Sequence, residues 1–188
     1  MESKKEIRSR ILKARENLSK TEREKAALLI TERIAGHQWF YGAESVLGFA
    51  GYGSEIDTKE ILKEALHLGK KLYLPKVQGA EMEFYRVVSL TALIEGYKGI
   101  PEPKGDTETY VYTEECADKT LMLMPGAVFD VQRNRIGYGK GYYDKYLADK
   151  LKLQLRTIAI GFQCQMLGES EQIPADEHDI RPYQVICL

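Results

Sequence analysis

The sequence predicts an α/β fold: a single three-layer domain spanning residues 1–188, with a mostly parallel central sheet and helices on both faces. Short apolar runs alternate with helical patterns from residue 45 onward. One of these runs, Thr120-Leu-Met-Leu-Met124, is continuous enough to be a central strand buried on both faces. No linker, internal repeat or low-complexity stretch divides the 188 residues.

Residues 3–18 place Ile7, Ile11, Leu12, Arg15 and Leu18 at i, i+4 and i+7 spacings, which predicts an amphipathic helix. Ser19-Lys-Thr-Glu22 is a capping box opening a second helix, with Ala26, Leu29, Ile30 and Ile34 on its apolar side and Gly36 at its end. Ser45-Val-Leu-Gly-Phe-Ala50 predicts a buried strand. Asp57 caps a third helix, Lys59 to Leu68, closed by Gly69. Lys71-Leu-Tyr-Leu74 is the next strand, ended by Pro75. The strand–helix–strand unit over 45–74 implies a right-handed parallel crossover. Met82 to Val87 alternates as a strand. Residues 89–97 predict a short helix, and 100–109 a loop. A glycine-rich loop follows the 120–124 strand, then a helix from about Gly141 to Lys150. Thr157–Ile160 and Gln184–Cys187 are the last strands. In such sheets ligands bind beyond the carboxyl ends of the strands, so the loops after residues 50, 74, 124 and 160 are expected to converge.

With 27 basic and 28 acidic side chains, the net charge is -1. No global field draws the chain to nucleic acid or to an anionic membrane, so any anion site is local. Cys116, Cys164 and Cys187 lie far apart with no C-x-x-C, which fits unpaired thiols in a reducing compartment rather than a zinc or redox motif. The N-terminus has no apolar signal core, and no uncharged stretch approaches the ~20 residues needed to span a bilayer. A cytoplasmic protein is expected, acting as a monomer without nucleic-acid or membrane partners.

The strongest chemical signal is Arg135-Ile-Gly-Tyr-Gly-Lys-Gly-Tyr-Tyr-Asp144. Gly137, Gly139 and Gly141 alternate, which frees successive N–H groups to point at one anion and lets a phosphate approach closely. Arg135 and Lys140 supply positive charge on either side, as fork and as mobile point charge. A helix begins directly after, and Asp144 in its first turn is placed to hold Mg²⁺ against phosphates. The spacing matches neither Walker A nor the dinucleotide fingerprint. A plain surface turn is disfavoured by Tyr138, Tyr142 and Tyr143 among the glycines. Three weaker candidates accompany it. Glu55, in Gly51-Tyr-Gly-Ser-Glu-Ile56, either binds an amino-bearing heterocycle or only joins Ser54 and Asp57 in capping. Lys4 and Arg8 lie one turn apart on one helix face and, by themselves, read as a solvated basic face. Pro174-Ala-Asp-Glu-His-Asp179, by itself, reads as an acidic surface loop; the alternative is that Asp176 or Asp179 joins Asp144 at a metal.

These segments, in this order, resemble the 5-formyltetrahydrofolate cyclo-ligase (methenyltetrahydrofolate synthetase) family over nearly the whole chain. The most specific part is Met124-Pro-Gly-Ala-Val-Phe-Asp130 followed by 135–144. The Lys-x-x-x-Arg at 4 and 8, the Glu55 loop, Pro101-Glu-Pro103 and Glu177-His-Asp179 fit as well. The resemblance implies that ATP and 5-formyltetrahydrofolate give 5,10-methenyltetrahydrofolate, ADP and phosphate through a phosphorylated formyl intermediate. It implies that Lys4, Arg8 and Arg135, Ile136, Gly137, Tyr138, Gly139, Lys140, Gly141, Tyr142 and Tyr143 contact ATP. Ala50, Glu55 and 138–142 (Tyr138, Gly139, Lys140, Gly141, Tyr142) would face the folate, and Asp144 and Asp179 would hold Mg²⁺. Arg135, Lys140 and Tyr142 are the expected catalytic residues. Lys98 and Lys104 are basic positions for a glutamate tail. This chain departs from the usual pattern at Arg133, where glycine is expected and Asn134 beside it would take the unusual backbone angle. It departs again at Tyr183, where many members carry aspartate. Competing readings are a sugar-phosphate isomerase on a similar sheet and a non-catalytic nucleotide- or folate-binding module.

Overall fold

The computed structural model describes residues 2–96 and 99–188. Three helices come first: α1 (Lys4–Glu16), α2 (Lys20–Ala35) and the short α3 (Gln38–Gly42). Ser3 with Glu6, and Ser19 with Glu22, each close a reciprocal capping box, so the predicted start of the second helix holds. Strand β1 (Ser45–Leu47) leads through α4 (Lys59–His67) to β2 (Lys71–Gln78) and β3 (Glu81–Val87). Two-residue strands β4 (Ile94–Glu95) and β5 (Pro101–Glu102) pair with each other. Then come α5 (Glu114–Asp118), β6 (Thr120–Met124), the hairpin β7 (Val128–Phe129) and β8 (Arg135–Ile136), α6 (Tyr142–Leu147), α7 (Leu151–Gln154), β9 (Thr157–Gly161) and β10 (Gln184–Cys187).

The main sheet has six strands in the order β10-β9-β6-β1-β2-β3. All neighbours are parallel except β2 and β3. Alternation along each strand decides which helices cover which face. Val46, Leu72, Leu121, Leu123, Ile158 and Ile160 pack with Ile30 and Ile34 of α2, Phe40 of α3, and Ile61 and Leu62 of α4. Leu47, Tyr73, Met122, Met124 and Ala159 point the other way, onto Ala117 of α5, Leu147 of α6 and Leu153 of α7. This is the expected three-layer arrangement. Helix α1 belongs to neither layer. Its Ile7 and Ile11 pack on Val128 and Ile136 of the hairpin, with Leu167 and Ile173. That places α1 along the glycine-rich segment that follows β8.

Several boundaries differ from the sequence expectation. Pro75 does not end β2, which continues to Gln78 opposite β3. The Tyr73 carbonyl accepts from the Gly48 amide at 2.9 Å, so by two-residue alternation Pro75 also faces the β1 side. But β1 has already ended at Leu47, opposite Tyr73, and no strand needs the missing N–H. Residues 89–96 hold a 3₁₀ turn at Leu90–Ala92 and then β4, not a helix; Tyr97 and the tail candidate Lys98 lie outside the described residues. The helix expected over 141–150 is α6 plus the separate α7. Helices α3 and α5 and the β7–β8 hairpin had no periodic signal, being five residues or shorter. Within the hairpin turn, the left-handed residue is Arg133, with φ 66°, and not Asn134.

Candidate active site

A cavity of ≈ 440 Å³ opens at the carboxyl ends of the strands. The loops after β1 and β6 meet there, and strand β2 itself fills the place expected for a loop after residue 74: Ala50 and Tyr52 to Glu55, then Pro75 and Val77 of β2, then Pro125 with Arg135, Gly137, Tyr138 and Lys140 to Asp144. The loop after β9 was expected to join them but contributes no lining residue. Helix α1 supplies Arg15 and Glu16 instead.

The glycine loop owes its path to two positions. Gly139 (φ 95°) and Gly141 (φ 65°) sit in the left-handed region, which costs other L-residues roughly 1–2 kcal/mol. The backbone amides of 137–141 donate to no protein acceptor among the described residues. Arg135 is almost wholly buried, its side chain 4% exposed, and its Nη2 donates to Asp144 Oδ1 at 2.8 Å. Its Nε is buried with no protein partner. The free loop amides and the positive charge of Arg135 border one cavity and form a donor set suited to an anion. Lys140 is exposed and makes no hydrogen bond or ion pair among the described residues. Tyr143 sits under the Arg135 guanidinium, 5.8 Å from ring centroid to Cζ. Burial first, then the Glu55 charge, raises its phenol well above the ordinary range, so it stays protonated. The Tyr142 hydroxyl donates to the Gly79 carbonyl at 3.3 Å, reaching the β2–β3 turn across the cavity.

Loop 51–57 separates Glu55 from the start of α4. Asp57 caps α4 by accepting from the Lys59 amide at 2.9 Å. Glu55 takes no part in that cap. Its Oε2 accepts from the Tyr52 amide at 3.0 Å, closing the turn at the cavity edge. Thr58 Oγ1 donates to the Phe49 carbonyl and accepts from the Gly51 amide, which fixes the loop root. Gly51 has no room for a side chain: a Cβ there would meet the Ile56 carbonyl oxygen at 2.1 Å. Gly51→Ala is therefore expected to cost about 1–3 kcal/mol, which thermal melts check.

Lys4, Arg8, Ile136, Gly139 and Asp179 lie outside the cavity lining. Arg8 reaches over the loop, its Nη1 donating to the Gly137 carbonyl at 3.5 Å. Lys4 was expected at the phosphates, but its ammonium lies 2.5 Å from both Asp176 and Asp179. Burial opposes its charge, yet the hydrogen bonds to the two carboxylates outweigh it and raise its pKa. Burial would likewise raise Asp179, but Lys4 and the Asp176 amide hold it below the ordinary carboxylate range. The Ile136 side chain lies in the core with Ile7 and Ile11, and its carbonyl accepts from the Ala127 amide. Asp144 and Asp179 are adjacent, because the Ile180 amide donates to Asp144 Oδ1 at 3.1 Å. No group of three or more His, Cys, Asp or Glu able to hold a metal occurs among the described residues.

Two residues escaped the sequence reading. Arg15 was assigned to the packing face of α1, but lies against Tyr138 and Ser54 at the cavity. A guanidinium on an otherwise apolar helix stripe was the available signal. Asp130 had no assigned role, yet it is buried and accepts from the amides of Gln132, Asn134 and Ile173 and from Asn134 Nδ2.

Known proteins match this arrangement. A 5-formyltetrahydrofolate cyclo-ligase from Mus musculus is 29% identical over 193 residues, covering 98% of this chain and 93% of that protein. The solved structure of a 5,10-methenyltetrahydrofolate synthetase from Aquifex aeolicus is 32% identical with a TM-score of 0.78, covering 95% of this chain and 86% of its own. That of a Mycoplasma pneumoniae 5,10-methenyltetrahydrofolate synthetase, at 20% identity, TM-score 0.73 and 98% of each chain, shares the fold. The 5-formyltetrahydrofolate cyclo-ligase family model matches residues 1–187. With that match running the length of the sheet and through every loop of the cavity, the chain belongs to the 5-formyltetrahydrofolate cyclo-ligase family.

Proposed function

We propose that this protein converts 5-formyltetrahydrofolate to 5,10-methenyltetrahydrofolate, using ATP and Mg²⁺ and releasing ADP and phosphate. The observation behind this reading is one cavity bounded on one side by unpaired loop amides with Arg135, and on the other by Glu55. The first side suits a triphosphate; the second suits an amino-bearing pterin. The formyl oxygen attacks the γ-phosphorus, an O–P bond forms, and the bond to the β-phosphate oxygen breaks. N10 then attacks the phosphorylated formyl carbon and gives up its proton to solvent, and phosphate leaves with the former formyl oxygen. A formyl oxygen alone is a poor leaving group, and its phosphate ester is a good one.

In this reading Arg135, Lys140 and the 137–141 amides neutralise charge on the transferring phosphoryl group. Arg8 braces the loop, Tyr142 closes over its mouth, and Glu55 and Ala50 orient the pterin. Lys4 engages the polyphosphate once released from Asp176 and Asp179. Mg²⁺ fits the residues present. It takes one or two carboxylates plus phosphates and water, and Asp144 Oδ2 and Asp179 Oδ1 carry no protein hydrogen bond among the described residues. When bound, the ion would screen phosphate charge. Action as a monomer in the cytoplasm belongs to the same proposal; no helix among the described residues is long and apolar enough to cross a membrane.

The test mixes protein, Mg²⁺, ATP and 5-formyltetrahydrofolate and follows the absorbance of the conjugated methenyl product. No ATP-dependent rise would overturn the proposal, and binding of both ligands without turnover would leave a non-catalytic module. Lys140→Ala is expected to lower the rate about 10²-fold. Its melting temperature should shift by less than about 1 °C, because an exposed unpaired lysine supports nothing in the fold.

A further inference from the structure

Arg15 is 5% exposed, and the phosphate and metal roles do not use it. Its Nη1 donates to the Tyr138 hydroxyl at 2.6 Å and its Nε donates to Ser54 Oγ at 3.1 Å. Both partners are neutral hydroxyls, and they sit on different loops: Ser54 beside Glu55, and Tyr138 inside the glycine loop. Burying a guanidinium is costly, and two hydrogen bonds to loops that otherwise lack regular structure are a poor return in stability alone.

We propose that Arg15 is a positioning residue for the folate half of the site, tying the loop that carries Glu55 to the loop that carries Lys140. This rests on the activity proposed above. A tyrosine oxygen that accepts from Arg15 has its own proton left to direct. The candidates at hand are the Gly126 carbonyl at 3.5 Å and the Glu55 carboxylate, whose charge, after burial, raises the phenol. Arg15 thus sets the rotation of the Tyr138 ring, and the ring with Glu55 forms one wall of the cavity.

Helix geometry makes the tie directional. Lys4, Arg8 and Arg15 share one stripe of α1, being rotated by about 40° and 20° over four and eleven residues. At about 1.5 Å per residue, Arg15 stands roughly 10 Å beyond Arg8 and 16 Å beyond Lys4. One rigid helix therefore spans both ends: Arg8 grips the glycine loop at Gly137, and Arg15 grips it at Tyr138 together with the folate loop. Loss of Arg15 frees the folate end while the Arg8 contact at the phosphate end persists.

Steady-state kinetics on the full chain tests this with Arg15→Ala, Arg15→Lys, Tyr138→Phe and the Arg15→Ala/Tyr138→Phe double variant. The expected result is that Arg15→Ala raises KM for 5-formyltetrahydrofolate about 10-fold or more while KM for ATP moves less than about twofold. Tyr138→Phe should produce a shift in the same direction, and the double variant should be no worse than the worse single. Arg15→Lys should recover only part of the loss, since one ammonium cannot reproduce the fork to both hydroxyls. A lowered melting temperature with both KM values unchanged would overturn the proposal, as would equal increases in both KM values or strictly additive losses. If Arg15→Ala does not fold, Arg15→Lys and Tyr138→Phe give the same folate-against-ATP comparison. Failure of the proposed activity is separate and visible: it silences the unsubstituted protein.

Discussion

Arg135→Ala is expected to lower the ATP-dependent rate by 10³-fold or more and to destabilise the fold as well. The guanidinium holds Asp144 at 2.8 Å, touches the Pro125 carbonyl at 3.4 Å and keeps one buried Nε without a protein partner. In the proposed reaction the delocalised guanidinium charge faces the phosphoryl group, and loss of a charge clamp of this kind costs about 10³ or more. The substitution also leaves the Asp144 carboxylate with the Ile180 amide but no cation. Breaking a fully buried pair costs about 3–5 kcal/mol, and Asp144 is 22% exposed, so about 2–3 kcal/mol is expected after screening. Rapid-quench measurement of ADP formation separates the chemical loss from the fold loss, which thermal unfolding reports. Arg135→Lys should restore charge and part of the stability but little of the rate, because an ammonium cannot replace a fork. A near-wild-type rate in Arg135→Ala would remove the loop from the mechanism.

Asp130→Ala is expected to be the most destabilising single change at the site, by about 3–5 kcal/mol. The carboxylate is 1% exposed and takes four N–H groups: Asn134 N and Nδ2 at 2.8 Å, Gln132 N and Ile173 N at 3.0 Å. Alanine would leave the Asn134 and Ile173 amides buried without acceptors, at roughly 1–3 kcal/mol each. For a chain of this size each kcal/mol lowers Tm by about 2–4 °C, so a fall on the order of 10 °C is expected by calorimetry. The carboxylate also stabilises the turn that keeps Arg133 left-handed. A melting temperature within about 2 °C of the parent would show that β7–β8 and the 173–179 loop hold together without it.

The two positions where the chain departs from the usual pattern turn out to be one contact. The Arg133 side chain donates to the Tyr183 carbonyl and lies over its ring at 5.8 Å. Tyr183 in turn packs on Trp39 at 5.0 Å. A left-handed arginine is strained relative to glycine, and the guanidinium contact with the tyrosine offsets part of that strain. Neither departure was interpretable singly, because nothing local at 133 points to 183.

Much of the fold was legible in the sequence. The capping box at Ser19, the Asp57 contact at the start of α4 and the fully buried β6 and β9 follow from hydrogen bonding and periodicity within a few residues. The errors fell where neighbours override local preference: Pro75 continues a strand because β1 stops short of it, and α3 and α5 are too short for a period.

The candidate site divides the same way. The sequence by itself pointed to a glycine loop within 135–144, flanked by charges that suit an anion and free to take the left-handed angles found at Gly139 and Gly141, since backbone freedom and charge are properties of the residues themselves. Tertiary structure alone decided who meets whom. Lys4 finds Asp179 across 175 residues, Arg15 finds Tyr138 across 123, and Ile173 finds Asp130 across 43. The first two pairings are set by α1 packing its Ile7 and Ile11 on the β7–β8 hairpin, and Ile173 joins the same apolar cluster. Apolar burial is non-directional and takes its geometry from the whole core, so the charges it carries along are brought together by packing and not by any pattern along the chain.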